Sequence, residues 1–217
     1  VKVLAIGAHP DDVELGAGAT LAEHAAAGDE VSILVLSAGV TSRGGDDSEA
    51  QKAIRQQAIE AAKILGAQVC VLNNPDQRFD TVARLDIVRA IEAAIRQVQP
   101  ERVYTHHGGD RNLDHRITHD AVLTACRPVP GSCVESIYAF EVASSSEWGT
   151  VFWPTAFVDV SGEPLAKKGR ALVCYAAEMR ASPHPRSLEA LAALARWRGA
   201  TVGVEAAEAF EVVREML

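Results

Sequence analysis

The chain has 217 residues, 48% of them hydrophobic, and a formal net charge of −8. That length reads as a single domain over 1–217, able to bury a sizeable core, and no apolar run reaches the about 18 residues of a membrane span. The acidic balance argues against nucleic acid as the main partner, because phosphate binding needs basic patches.

Val1–Ala8 is a continuous apolar run of the kind buried in a parallel sheet, and it leads directly into Ala8-His9-Pro10-Asp11-Asp12-Val13-Glu14. No secretory leader layout precedes it, so a cytoplasmic location is the expectation. Glu14–Ala27 is Ala-rich and helical, with Gly28 as its C-terminal cap. Val31–Ser37 predicts a second strand, Ala38–Asp47 a polar loop, and Ser48–Leu65 a helix stopped by Gly66. Val69–Leu72 reads as a short strand and Val82–Val98 as a helix closed by Pro100. Arg102–Thr105 is another strand, and it delivers His106-His107-Gly108-Gly109-Asp110-Arg111-Asn112-Leu113-Asp114-His115. A helix is predicted over Thr118–Cys126, up to the pre-proline position at Arg127.

The last part, from about 130 to 217, is less regular and is expected on the same core. Ser136–Val142 and Ala156–Val160 read as strands around a loop, Ser144–Pro154. Helices are predicted over Leu165–Met179 and Leu188–Arg198, separated by the proline-stiffened segment Ser182-Pro183-His184-Pro185-Arg186. Ala209–Val213 is a short strand or a helix, which periodicity does not separate. Alternating strands and helices predict an α/β fold, Rossmann-like, with a mostly parallel sheet and helices on both faces. Ligands of such sheets lie beyond the carboxyl ends of strands, where the strand order reverses. Both polar clusters follow strands immediately, so one edge should carry both.

An imidazole and three carboxylates in His9–Glu14 are a costly group to bury unless something neutralises them. A divalent metal is the natural partner, and His and Asp are suitable ligands. A hydrolytic metal needs about three protein ligands, an open position for water, and a base not consumed by the metal. His9, Asp12 and His115 can supply the ligands and leave Asp11 as the base. The thiols fit no such site: Cys70, Cys126, Cys133 and Cys174 are scattered without a C-x-x-C pair and read as reduced, packed side chains.

At these residues the chain resembles the PIG-L/LmbE-like family of zinc-dependent N-deacetylases. The resemblance rests on Ala8–Glu14, on the Asn-x-Asp-His that ends the second cluster, and on Gly28-Asp29-Glu30-Val31 entering the second strand. It implies hydrolysis of an N-acetyl group from an amino sugar or its conjugate, and relatives that often form hexamers agree with the homo-oligomer that the Ala/Leu-rich helices late in the chain suggest. It implies a Zn2+ held by His9, Asp12 and His115, with Fe2+ or Co2+ fitting the same ligands. Asp11 then matches the general base, Asp114 a carboxylate that orients a neighbouring side chain, and Arg55 a substrate-binding arginine. Many members carry His-x-x-His where this chain has Asn112. Asn112 can donate to an oxyanion but cannot protonate the leaving amine, so the acid is either Asp11 returning its proton or His184. Loss of that acid also leaves open an amidase for another N-acyl bond, or an impaired metal- or sugar-binding relative.

Other residues carry two readings each. Glu14 holds a ligand or is a first-turn helix carboxylate. His106 and His107 line a pocket or are hydrogen-bonded core. Asp110 contacts substrate or shapes a turn, and Arg43 contacts substrate or is solvated, as does Arg186. Trp148 stacks on a sugar face or anchors its loop. Gly16-Ala17-Gly18 is not a nucleotide loop, because carboxylates fill the turn where a phosphate would sit.

Overall fold

The computed structural model describes residues 1–39 and 48–216. Its strands are β1 (Lys2–Gly7), β2 (Glu30–Ser37), β3 (Gln68–Asn74), β4 (Arg102–His106), β5 (Ser136–Phe140), β6 (Ala156–Asp159) and β7 (Ala207–Arg214). They form one sheet in the order β3-β2-β1-β4-β5-β7-β6. Pairing is parallel from β3 through to β5, and β7 runs antiparallel to both β5 and β6. This is the mostly parallel α/β architecture that the strand–helix rhythm predicts.

The helices are α1 (Asp12–Ala26), α2 (Ser48–Leu65), α3 (Arg84–Val98), α4 (Leu113–Ala125), α5 (Glu163–Val173) and α6 (Leu188–Ala200). Successive residues of a strand face opposite sides of a sheet. Val3 and Ala5 of β1 accordingly join the core under α1, α2 and α5, with Val31, Ile33, Leu21, Ala58 and Leu172. Leu4 and Ile6 point the other way, into the core under α3 and α4, with Leu34, Val103, Ile91 and Val122. Among the described residues no helix is long and apolar enough to cross a membrane.

Two elements differ from expectation, and one left open is now assigned. α4 begins at Leu113 rather than Thr118, because Asn112 caps it by accepting a hydrogen bond from Asp114 N at 2.9 Å. Its polar first turn, which reads as loop, faces inward and is buried at Asp114 and His115. α5 stops at Val173, short of Met179. Ala209–Val213 lies within the strand β7, whose partners β5 and β6 are distant in sequence.

The late elements are locked to α1 by a buried ion pair. Lys168 Nζ donates to Glu208 Oε1 and to Leu15 O, both at 2.6 Å. Glu208 in turn accepts from Ala19 N and Thr20 N. Beside it, Gly16 lets α1 approach β5 closely: a Cβ there would lie 2.2 Å from the Phe140 ring and 3.0 Å from Glu141 O. Gly16→Ala is therefore expected to cost about 1–3 kcal/mol through overpacking, read as a lowered urea midpoint with an unchanged slope.

Candidate metal centre

The chain leaves β1 for β2 and β3 on one side of the sheet, then returns to place β4 on the other side of β1. The strand order reverses between β1 and β4, where an open α/β sheet forms its ligand crevice. The loop after β1 carries His9 and Asp11 and opens α1 at Asp12, and the loop after β4 leads into Asp114 and His115.

Asp12 is the hub. Its buried Oδ2 accepts from His9 N at 2.8 Å and lies 3.2 Å from both His9 Nδ1 and His115 Nε2. A carboxylate held behind each imidazole completes the arrangement. His9 Nε2 is 3.1 Å from Asp114 Oδ2 and 3.3 Å from Asp76 Oδ1. His115 Nδ1 is 3.2 Å from Asp110 Oδ1. Asp114 is itself fixed by Phe79 N, and Asp110 by Ser145 Oγ, Ser146 Oγ and Asn112 N.

Electrostatics follow this geometry. Burial works to raise Asp12, but His115 and hydrogen bonds with His115 and His9 hold it well below the usual carboxylate range. Burial likewise opposes a charge on His9, yet hydrogen bonds with Asp114 and Asp12 push it up to about 10. Asp110, also against burial, is held down to about 2 by His115 and Ser146. The cluster thus draws positive charge toward Asp12.

The residues fit a divalent cation. His9, Asp12 and His115 offer ligand atoms within 4.8 Å of one another. Asp12 Oδ1 and His115 Nε2 are buried without a hydrogen bond among the described residues, an expense that a bound cation removes. Carboxylates behind both imidazoles match the outer shell that orients ligating histidines.

Asp11 sits apart from this hub. It has a left-handed φ of 84°, a conformation that Asp tolerates better than most residues, and its Oδ2 pairs with Arg186. Burial pushes its carboxyl well above the usual range, and the Arg186 guanidinium counters that, with Nη1 2.9 Å from Oδ2. Asp11, His9, Asn112, Asp76, Glu178 and Arg186 all line one cavity of about 120 Å³.

The model of the family PIG-L: GlcNAc-PI de-N-acetylase matches residues 4–126, the span that carries both loops. The chain belongs to this family. With that membership it is a hydrolytic N-deacetylase by family. It is 36% identical over 176 residues to the uncharacterized deacetylase YaiS of Escherichia coli, covering 78% of this chain and 88% of that one. It is 30% identical over 197 residues to the 4-oxalmesaconate hydratase of Pseudomonas putida, covering 82% and 74%. The N,N'-diacetylchitobiose deacetylase of Pyrococcus horikoshii shares the fold, with a TM-score of 0.78, 21% identity and coverage of 98% and 84%.

The fold brings His9, Asp11, Asp12, Asp110, Asn112, Asp114 and His115 together, but not every residue singled out in the sequence. His184 is exposed: its Nδ1 accepts from Arg186 N, so the proline-flanked turn folds the imidazole back and sends Arg186 inward. Arg55 is spent on β3, donating to Val71 O, Leu72 O and Asn73 Oδ1. Asp110 faces His115 rather than the cavity. Trp148 is 76% exposed, next to the Ser145–Ser146 pair that holds Asp110. Arg43 lies outside the described residues.

Sequence reasoning missed Asp76 and Gln77, although they too follow a strand, β3, at the same edge of the sheet. Glu178 carried no local signal, and Arg186 was singled out without a partner, because only the packing of the late segment brings them to Asp11. Asp110→Ala would strip the acceptor from two serine hydroxyls, one backbone N–H and the imidazole of His115. A stability loss of about 2–4 kcal/mol is expected, with faster amide exchange at Ser145–Trp148 as its local signature.

Proposed function

We propose that this protein is a zinc-dependent deacetylase of an N-acetylated amino sugar or a conjugate of one. The observation that carries the reading is the convergence of His9 Nδ1 and His115 Nε2 on Asp12 Oδ2, beside a buried Asp11 that is not part of the hub. His9, Asp12 and His115 would hold the cation, zinc by its affinity for nitrogen and carboxylate ligands, with Fe2+ or Co2+ as substitutes. When bound it polarises the acetamide carbonyl and lowers the pKa of water.

The chain's own residues do the rest. Asp11 is the general base, and Arg186 Nη1 holds its Oδ2, which leaves Oδ1 to take a proton from the attacking water. Asn112 Oδ1 is committed to capping α4, so its Nδ2 is the group free to donate to the developing oxyanion, as the Asn112 position requires. With His184 turned to solvent, the proton that Asp11 collects is the one returned to the leaving nitrogen as the C–N bond breaks. The water oxygen leaves in acetate. Asp114 and Asp110 are positioning residues behind His9 and His115.

Asp11→Asn is expected to keep its metal while turnover falls about 100- to 10,000-fold, measured as acetate release from a panel of N-acetylated sugars. Full turnover in that variant would refute the base assignment. The same panel should include unsaturated dicarboxylates, because the 30% identity to a hydratase makes water addition the competing outcome. Release of acetate without hydration supports the deacetylase reading, and the reverse overturns it.

The surface supports assembly. Trp148, Trp153 and Trp197 are exposed by 76%, 74% and 65%, more than a stable monomer usually leaves its largest apolar side chains. A homo-oligomer, with a hexamer as one form, would cover them. Light scattering should give a mass several times 23.1 kDa, and a monomer at micromolar concentration would remove this part of the proposal.

A further inference from the structure

His106 takes no part in the chemistry above, yet it touches both halves of the cluster. It closes β4 and is fully buried. One side of its ring stacks on His115, with centroids 4.0 Å apart and 18° between planes, and Phe140 lies on it at 4.9 Å. Its Nε2 accepts a hydrogen bond of 2.9 Å from Ala8 N, in the loop that leads to His9 and Asp12. An accepting Nε2 carries no proton, so this contact also fixes the neutral tautomer.

The position of this bond matters. The ladder between β1 and β4 ends at the pair Ala5 and Tyr104. Beyond it β1 stays in register with β2 as far as Gly7 and β4 with β5 as far as His106, but no further pair joins β1 to β4 among the described residues. The side chain of His106 spans that gap. Ala8 is pinned from the far side too, since its carbonyl accepts from Ser37 N at the end of β2. The loop bearing His9 and Asp12 is thus held between β2 and the ring that stacks on His115.

We propose that His106 is the positioning residue that sets the distance between the two halves of the metal centre, replacing the missing ladder bond with its own Nε2. Stacking alone would be served equally by a phenylalanine. Only a side chain with an acceptor at that place satisfies the buried Ala8 N–H. The proposal rests on His9, Asp12 and His115 binding a cation, and it assigns His106 no contact with substrate.

Two variants separate ring from acceptor. His106→Phe keeps the stack and loses the acceptor, whereas His106→Gln places an amide oxygen near Nε2 and loses the stack. Zn2+ affinity would be measured by chelator competition and site geometry by the visible absorption of the Co2+ form, with melting of the metal-free protein as a folding control. Loss of an outer-shell partner costs about 10- to 100-fold in metal affinity, and that is expected of His106→Phe, with an altered Co2+ spectrum. His106→Gln should recover affinity to within about threefold of the parent, as restoration of the acceptor predicts.

Equal losses in the two variants, an unchanged His106→Phe, or failure of both to fold would each overturn the proposal and return His106 to the core. A parent protein that binds neither ion would remove the metal centre itself. A parent that binds, with variants that bind alike, removes only the role of His106.

Discussion

Everything at the switch point depends on one buried carboxylate, Asp12. It is fully inaccessible to solvent, and a lone ion there would be several kcal/mol too costly to keep. The structure meets that demand by turning two imidazoles onto its Oδ2 and backing each with another carboxylate. Charge alternates outward from the hub, from carboxylate to imidazole to carboxylate. The outermost acids end in backbone N–H and serine hydroxyl donors. The arrangement makes chemical sense only around positive charge, and a divalent cation supplies it more compactly than protons on the histidines.

The site is built from parts of the chain that no single motif spans. The family match ends at residue 126, yet Arg186 and Glu178 from beyond it reach the cavity. Arg186 does so because the late segment is anchored at both ends. Lys168 and Glu208 tie α5 and β7 to α1, and the Ser187 side chain caps α6 by accepting from Ala190 N. Between these anchors the proline-flanked turn has one inward-facing charged side chain, and it meets Asp11. The ion pair with Asp11 therefore reports the docking of the whole C-terminal third.

Asn112 illustrates how one residue satisfies two demands. As a helix cap it spares an N–H of α4 from burial without a partner, and the helix it starts presents Asp114 and His115 toward the sheet edge. A histidine at that position would not cap as well. The same residue cannot pass a proton, and the structure provides no imidazole in compensation, since His184 faces solvent. In the proposed mechanism proton transfer therefore falls to Asp11, the carboxylate of the loop that is paired with Arg186.

Local pattern carried the sheet, the order of most helices and the two polar loops, because buried strands read as apolar runs and charged residues at strand ends stand out against them. It misjudged the start of α4, whose polar first turn is buried for the sake of the site and so lacks the apolar face that announces a helix. It did not foresee the partners of Arg55, since nothing in a helix sequence says which carbonyls a half-buried arginine will find on an edge strand. It did not say which member of the Pro-flanked segment turns inward, because rigidity was legible there but direction was not. The amino-acid sequence by itself determined that His9, Asp12 and His115 would lie in the segments that follow two strands, for a strand's carboxyl terminus is a local property. That Asp12 meets His115, that Asp114 backs His9, and that Arg186 and not His184 faces Asp11 were decided only by tertiary structure, because those contacts join residues more than a hundred positions apart and depend on strand order and helix docking that no local pattern encodes.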